Sequence, residues 1–350
     1  MVPHWIAGLA AGVLSALLFW SHASGSLLAW FLICLTPLPV FIAGLGWGAM
    51  SALIAALIAF LMLSSFESAT AGLLYIMHFG LVPVWLSRQA LLYRVETPAP
   101  LPAVHSYPSE AEDDDLPTEH ADDLHHAPAN VEWYQVGGLM GWTAIAGCLI
   151  LLLTELSVIL MGYEGLSIAL KNTIMSILSD TTVLGPDGTW FGIPVEAERL
   201  ALLGVALLPA ILMASWSLLT LLHMWIAQEI LQRFEHTLRP MPDFLDFGLP
   251  PYLLWLLLGG VILSFIPGET AFLGGALTLV LLVPYFLLGL SVIHAISRRW
   301  IDRAALRYSV LGLFYLILVI PGWLIVPIAL LGIVENWAHI RRKMAMDMTV

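Results

Sequence analysis

TPLPVFIAGLGWGAMSALIAA, Thr36 to Ala56, is an apolar run broken by Pro37 and Pro39 and punctuated by Gly44, Gly46 and Gly48. Each proline removes a backbone donor and obstructs the preceding helical turn. In hydrocarbon, such a break persists only where protein or a water-filled cavity satisfies the freed amide groups. The stretch therefore reads as a cavity wall in a membrane-embedded bundle, with the three alternating glycines turning the chain.

Composition agrees with that setting. The chain has 350 residues, of which 60% are hydrophobic and 11% charged. Its mean hydropathy is +0.90. A soluble core cannot hide that much apolar surface, so the fold class is all-α, a polytopic transmembrane helix bundle. The net charge of -12 belongs to one segment: Glu96 to Glu132 holds ten acids and no Lys or Arg, leaving 15 acids against 13 bases elsewhere. Cys34 and Cys148 lie inside apolar runs and read as small packing residues. The N-terminal stretch has no basic residue before its apolar run and reads as an uncleaved first span.

With about 17 to 25 residues per crossing, spans fall near residues 5 to 21, 27 to 44, 47 to 65 and 69 to 87. Others fall near 135 to 160, 198 to 226, 251 to 267 and 271 to 297. Ala304 to Ala338 is long enough to cross once when tilted, or twice if Pro321-Gly322 divides it. The positive-inside rule favours two crossings. With the N-terminus cytoplasmic, Arg88, Arg94, Arg233, Arg239, Arg298, Arg299, Arg303 and Arg307 all fall inside, and division brings Arg341, Arg342 and Lys343 inside too. About ten spans result, or nine if the last run crosses once. The expected location is a bacterial cytoplasmic (inner) membrane, with the N-terminus and acidic linker on the cytoplasmic side.

The chain divides into a four-span half (1–94), an acidic linker expected to be disordered (95–132) and a C-terminal half (133–350). The linker's His105, His120, His125 and His126 near Asp113 to Asp115 show no zinc-site spacing. Within the C-terminal half, residues 164–195 form an external unit. Leu166, Leu170, Ile174 and Ile177 share one helical face, and a Gly/Pro-rich loop carrying Trp190 follows. It reads as an amphipathic interfacial helix with a lid-like loop.

Ionisable groups at membrane depth are the first candidates for function. His78 lies nine residues past Ala69, about 13 Å along its helix. Glu155 lies toward the outer end of the fifth span, with Lys171 and Arg199 as candidate partners on the same side. His223 and His294 fall near cytoplasmic helix ends and read as interfacial. Lys171 and Lys343 are the only lysines, and neither closes a phosphate-binding loop. H-E-x-x-H, G-x-S-x-G and a Cys/His cluster are also missing, as is a basic patch for nucleic acid. No catalytic role, metal or cofactor is expected.

The opening stretch, together with MPDFLDFGLPPYLLW (241–255) and LLGIVENWAHIRRK (330–343), resembles the YybS-like family of uncharacterised bacterial membrane proteins over nearly the whole chain. That family is similar, chiefly in its N-terminal half, to the substrate-binding S components of energy-coupling-factor vitamin transporters. The resemblance implies a small-molecule-binding membrane subunit served by a separate coupling membrane protein and ATPases. S components dock through small residues of their first span, a pattern that Ala7 and Ala11 fit. The chain departs from them in having more than six spans and a long acidic insert. The expected ligand site is an outward cavity lined by Glu155, His78, Pro37, Pro39, Trp47 and Trp190. The competing expectation is a membrane scaffold recruiting cytoplasmic partners through the acidic linker or the basic C-terminal residues.

Overall fold

A computed structural model of the chain describes residues 3–96, 130–179, 189–190, 193–194, 196–241, 247–319, 324–341 and 343. Among them, seven helical stretches are long and apolar enough to cross a membrane. The first four match the expected N-terminal spans. They are α1 (His4–Trp20), α2 (Leu27–Cys34) joined to α3 (Leu38–Trp47), α4 (Ala49–Phe66), and α5 (Ala69–Tyr75) continuing through a π turn, Ile76–Gly80, into α6 (Leu81–Ala90).

The proline break is sealed by the protein itself. Pro37 and Pro39 cannot donate to the carbonyls of Ile33 and Leu35, four residues back. Thr36 N and Leu38 N take those carbonyls in tighter i→i+3 bonds, both 3.0 Å. The Thr36 carbonyl accepts from Ser15 Oγ at 2.7 Å, and that oxygen lies 2.8 Å from the Tyr75 hydroxyl. Ser15, Thr36 and Tyr75 are all fully buried. The expected cavity wall is thus a packed joint between α1, α2–α3 and α5. Only Gly48 of the three glycines turns the chain, with φ +94°. Gly46 lies inside α3, where a Cβ would come within 2.7 Å of Leu231 Cδ2.

After α6, Tyr93–Glu96 (β1) pairs antiparallel with Asn130–Trp133 (β2), so the two ends of the expected linker form a ribbon. The rest of that linker lies outside the described residues. Then follow α7 (Val136–Leu160), α8 (Leu166–Ser179), the pair Thr189–Trp190 (β3) and Ile193–Pro194 (β4), and α9 (Ala197–Arg233). The amphipathic helix expected at 164–179 is α8. The remaining helices are α10 (Tyr252–Leu263), α11 (Glu269–Trp300), α12 (Ala304–Val319) and α13 (Ile325–Ala338), so the last apolar run does divide in two. Both pieces pack against the C-terminal half of α11. Tyr315 hydrogen-bonds His294 at 2.8 Å, and Gly332 sits directly on the Tyr285 carbonyl.

The early and late spans share a core. Phe41, Leu45 and Leu86 pack with Leu139, Ala227 and Leu231, and Trp85 meets Trp142 edge to face at 5.3 Å. The π turn contributes a cross-link, since Trp216 Nε1 donates to the His78 carbonyl at 3.0 Å. His223, expected at an interface, is instead buried within α9.

Two arginines close the face that carries the ribbon. Arg239, only 6% exposed, donates to Ala90 O (3.0 Å) and Tyr134 O (2.9 Å), while its own carbonyl accepts from Gln228 Nε2 at 2.6 Å. It ties the end of α6 to the start of α7. Burial lowers its pKa from the ordinary arginine value, and backbone carbonyls stand in for lost water. Arg341 pairs with buried Glu335 at 2.8 Å and donates to Phe247 O at 2.6 Å, with its guanidinium over the Phe247 ring. Replacing Arg239 by Ala strands two buried carbonyls and should cost on the order of 3 kcal/mol. A thermal melt of the detergent-purified variant checks this; an unchanged melting temperature would show that the clamp contributes nothing.

Candidate functional site

The expected outward site is centred on Glu155, which is only 7% exposed. Its Oε2 accepts Leu166 N at 2.8 Å. Glu269, the first residue of α11, accepts Ser167 N through Oε1 at 2.8 Å, and the Ser167 hydroxyl bonds its other oxygen. The two carboxyl groups lie near each other. Two acids from two spans thus hold the first turn of α8, where unpaired amides and the helix dipole favour negative charge. Lys171 pairs with Glu198 at 3.9 Å and Arg199 with Glu196 at 3.5 Å, so neither serves Glu155. Beneath α8, a pocket lined by Leu151, Thr154, Leu166, Leu170, Pro209 and Met213 measures about 140 Å³. Drug-sized ligands occupy about 300 to 1,000 Å³.

The other expected residues do not join Glu155. Trp47 packs edge to face on His236, with ring centroids 4.4 Å apart, just past the end of α9 that leads to Arg239. Arg239 holds Tyr134, and α7 runs from there for some twenty residues to Glu155, about 30 Å at the helical rise. Trp47 and Glu155 therefore sit at opposite faces. His78 uses Nδ1 on the Leu74 carbonyl of its own helix at 3.0 Å. Pro37 and Pro39 are buried in the sealed joint. Trp190 lies in β3, opposite Ile193, and its side chain is outside the described residues. On α1, Ala11 packs against Val40, Ala52 and Ala55, and a Cβ on Gly8 or Gly12 would meet α4 carbonyls at 2.7 and 2.6 Å. The small face that Ala7 and Ala11 share is spent largely on the chain's own α4.

A larger cavity, about 620 Å³, opens on the ribbon face between β1–β2, the first turn of α7 and the 248–252 segment. The ribbon register sets Arg94 opposite Glu132 and Tyr93 opposite Trp133, whose rings lie 5.4 Å apart. Tyr134 and Tyr252 complete an aromatic rim. Glycine lets these walls approach: Gly137 sits directly against the Gly248 carbonyl, and a Cβ on Gly138 would strike the Tyr134 ring at 2.6 Å. Pro250 and Pro251 then start α10, where a missing N–H costs nothing. Arg239 fixes Tyr134 and Arg341 fixes Phe247, so the cavity is braced on two sides. The alternation of aromatic and β-branched residues at Tyr93-Val95 and Val131-Trp133 is the sequence signal for this ribbon.

Comparison with known proteins gives one family: residues 196–335 match the model of a predicted membrane protein family, DUF2232. The match runs from the start of α9 to Glu335 and leaves the four N-terminal spans outside it. No curated protein and no solved structure matches the chain.

The capping role of Glu155 is separable from a ligand role. Glu155→Gln keeps an acceptor for Leu166 N, whereas Glu155→Leu removes it. Hydrogen exchange in the first turn of α8 should quicken about tenfold in the leucine variant and little in the glutamine variant. Equal protection in both would remove Glu155 from the cap.

Proposed function

We propose that this integral membrane protein is a binding protein whose ligand occupies the ribbon-face cavity, and that this face is cytoplasmic. The observation that carries the reading is the cavity itself. Its 620 Å³ falls within the range of ligand sites. Its lining includes aromatic rings, one cation and one anion, and its walls are held by Arg239 and Arg341. Binding to a braced cavity avoids the cost of ordering its walls. Orientation follows from charge: Arg88, Arg94, Arg239 and Arg341 gather at this face, as cytoplasmic loops of membrane proteins do.

An S-component-like role with an outward pocket draws less support. Its carboxylate is engaged in capping α8, the pocket below that helix is small, and the first span's small-residue face is packed on α4. Coupled transport would call for external ATPases, because the chain has no phosphate-binding loop. In the proposed reading the protein holds its ligand rather than converting it. The scaffold reading keeps one supporting feature, that the acidic segment 97–129 leaves from the cavity rim between β1 and β2.

A thermal-shift screen of metabolites and lipids on the detergent-purified protein tests the proposal. At least one ligand class should raise the melting temperature, Trp133→Ala should abolish the shift, and replacement of residues 97–129 by a short Gly/Ser loop should preserve it. A replacement that destroys function in cells while Trp133→Ala is silent would favour the scaffold instead.

A further inference from the structure

A second cavity continues the line of the first. It measures about 340 Å³, and Ile145, Cys148, Leu152, Trp255, Gly259 and Leu277 are among its walls. On α7, Gly138 of the ribbon-face cavity is followed on the same helical stripe by Ile145, Leu149 and Leu152 of the second, at spacings of seven, four and three. On α10, Tyr252 is followed by Trp255, Gly259 and Leu263, at spacings of three, four and four. Both cavities therefore lie along one seam between α7 and α10. The seam is polar and aromatic at the helix starts and apolar farther along. The starts of α7 and α10, ringed by Tyr93, Trp133, Tyr134 and Tyr252, mark the level of the bilayer interface, where such aromatics gather. The second cavity lies deeper, at the level of lipid tails.

We propose that the seam is a site for one phospholipid with a zwitterionic headgroup, its head in the ribbon-face cavity and one acyl chain in the apolar groove. This rests on the reading of the ribbon-face cavity as a ligand site and names its ligand. Arg94 and Glu132 are cross-strand partners, so a guanidinium and a carboxylate stand side by side at the rim. A headgroup with a phosphate and an ammonium two carbons apart matches that pair: Arg94 takes the phosphate, and Glu132 takes the ammonium. A headgroup with no cation leaves Glu132 unanswered, which sets the preference against anionic lipids. Tyr252 marks the border between the two parts. A Cβ on Gly141 would lie 3.0 Å from its hydroxyl, which places that donor where the head of the lipid gives way to its ester linkages. Deeper still, a Cβ on Gly259 meets no atom within 4 Å, so the groove opens onto bare backbone against which a chain can lie.

The open space at Gly259 supplies the test. In Gly259→Leu the added Cβ meets no atom within 4 Å and the rest of the side chain enters the groove, so the fold should survive, as a melting curve would verify. The full-length protein is purified in mild detergent, incubated with phosphatidylethanolamine or phosphatidylglycerol, and examined by native mass spectrometry. One phosphatidylethanolamine should be retained per chain in preference to phosphatidylglycerol. Most of that retention should be lost in Gly259→Leu, and the headgroup preference should shift toward phosphatidylglycerol in Glu132→Lys. Retention that is equal for both lipids and indifferent to both substitutions would mean ordinary bulk lipid and overturn the inference. If no lipid is retained but a water-soluble compound still stabilises the protein through Trp133, the lipid assignment fails and the binding reading stands. If neither binds, both fail.

Discussion

Every polar group of the main chain in this protein must find a partner inside the protein wherever it lies in hydrocarbon, and the architecture can be read as a set of answers to that demand. The proline break at Pro37 and Pro39 is answered by tightened turns and by the Ser15 hydroxyl. The π turn at Ile76–Gly80 is answered by an indole from α9. The ends of α6 and α7 are answered by the guanidinium of Arg239. In each case the rescuing side chain comes from a distant part of the chain, so local irregularity becomes long-range connection.

That economy separates two kinds of polar residue. Ser15, Trp216, Arg239 and Glu155 are engaged with backbone and hold elements in place. Arg94, Glu132, Tyr93 and Trp133 line the ribbon-face cavity. Burial and charge alone point toward the first group, because a carboxylate or a histidine at membrane depth looks costly enough to demand a function. Their cost is met by structural work, and the residues of the proposed site lie at the edge of the bundle, where an ordinary surface charge carries little signal.

The sequence therefore disclosed the helices far better than the site. Hydropathy and length placed the first four spans, α7, α9 and α11 within a few residues, because each is a long apolar run with clear ends. The division of the final run into α12 and α13 was legible in Pro321-Gly322 and in the arginines beyond it. The amphipathic period of Leu166, Leu170 and Ile174 gave α8 directly. What periodicity cannot show is which carboxylate meets which amide across a hundred residues, as Glu269 does with Ser167. Nor does it show that two short strands flanking an acidic segment come together. Pro250 and Pro251 can stop a helix on residue type alone, but the role of that segment as a cavity wall depends on Gly137 meeting Gly248.

The arginine clamps also impose an order of events. Arg239 reaches back 149 positions to Ala90 and 105 to Tyr134, while Arg341 reaches back 94 to Phe247. A chain made and inserted from its N-terminus forms local helix pairs first. Its ribbon-face cavity must then wait for α9 to cross before one wall is fixed, and for the segment past α13 before the other is. Ligand binding at that cavity would therefore report that α13 and the segment after it are in place, a property that a site confined to the first four spans would not have.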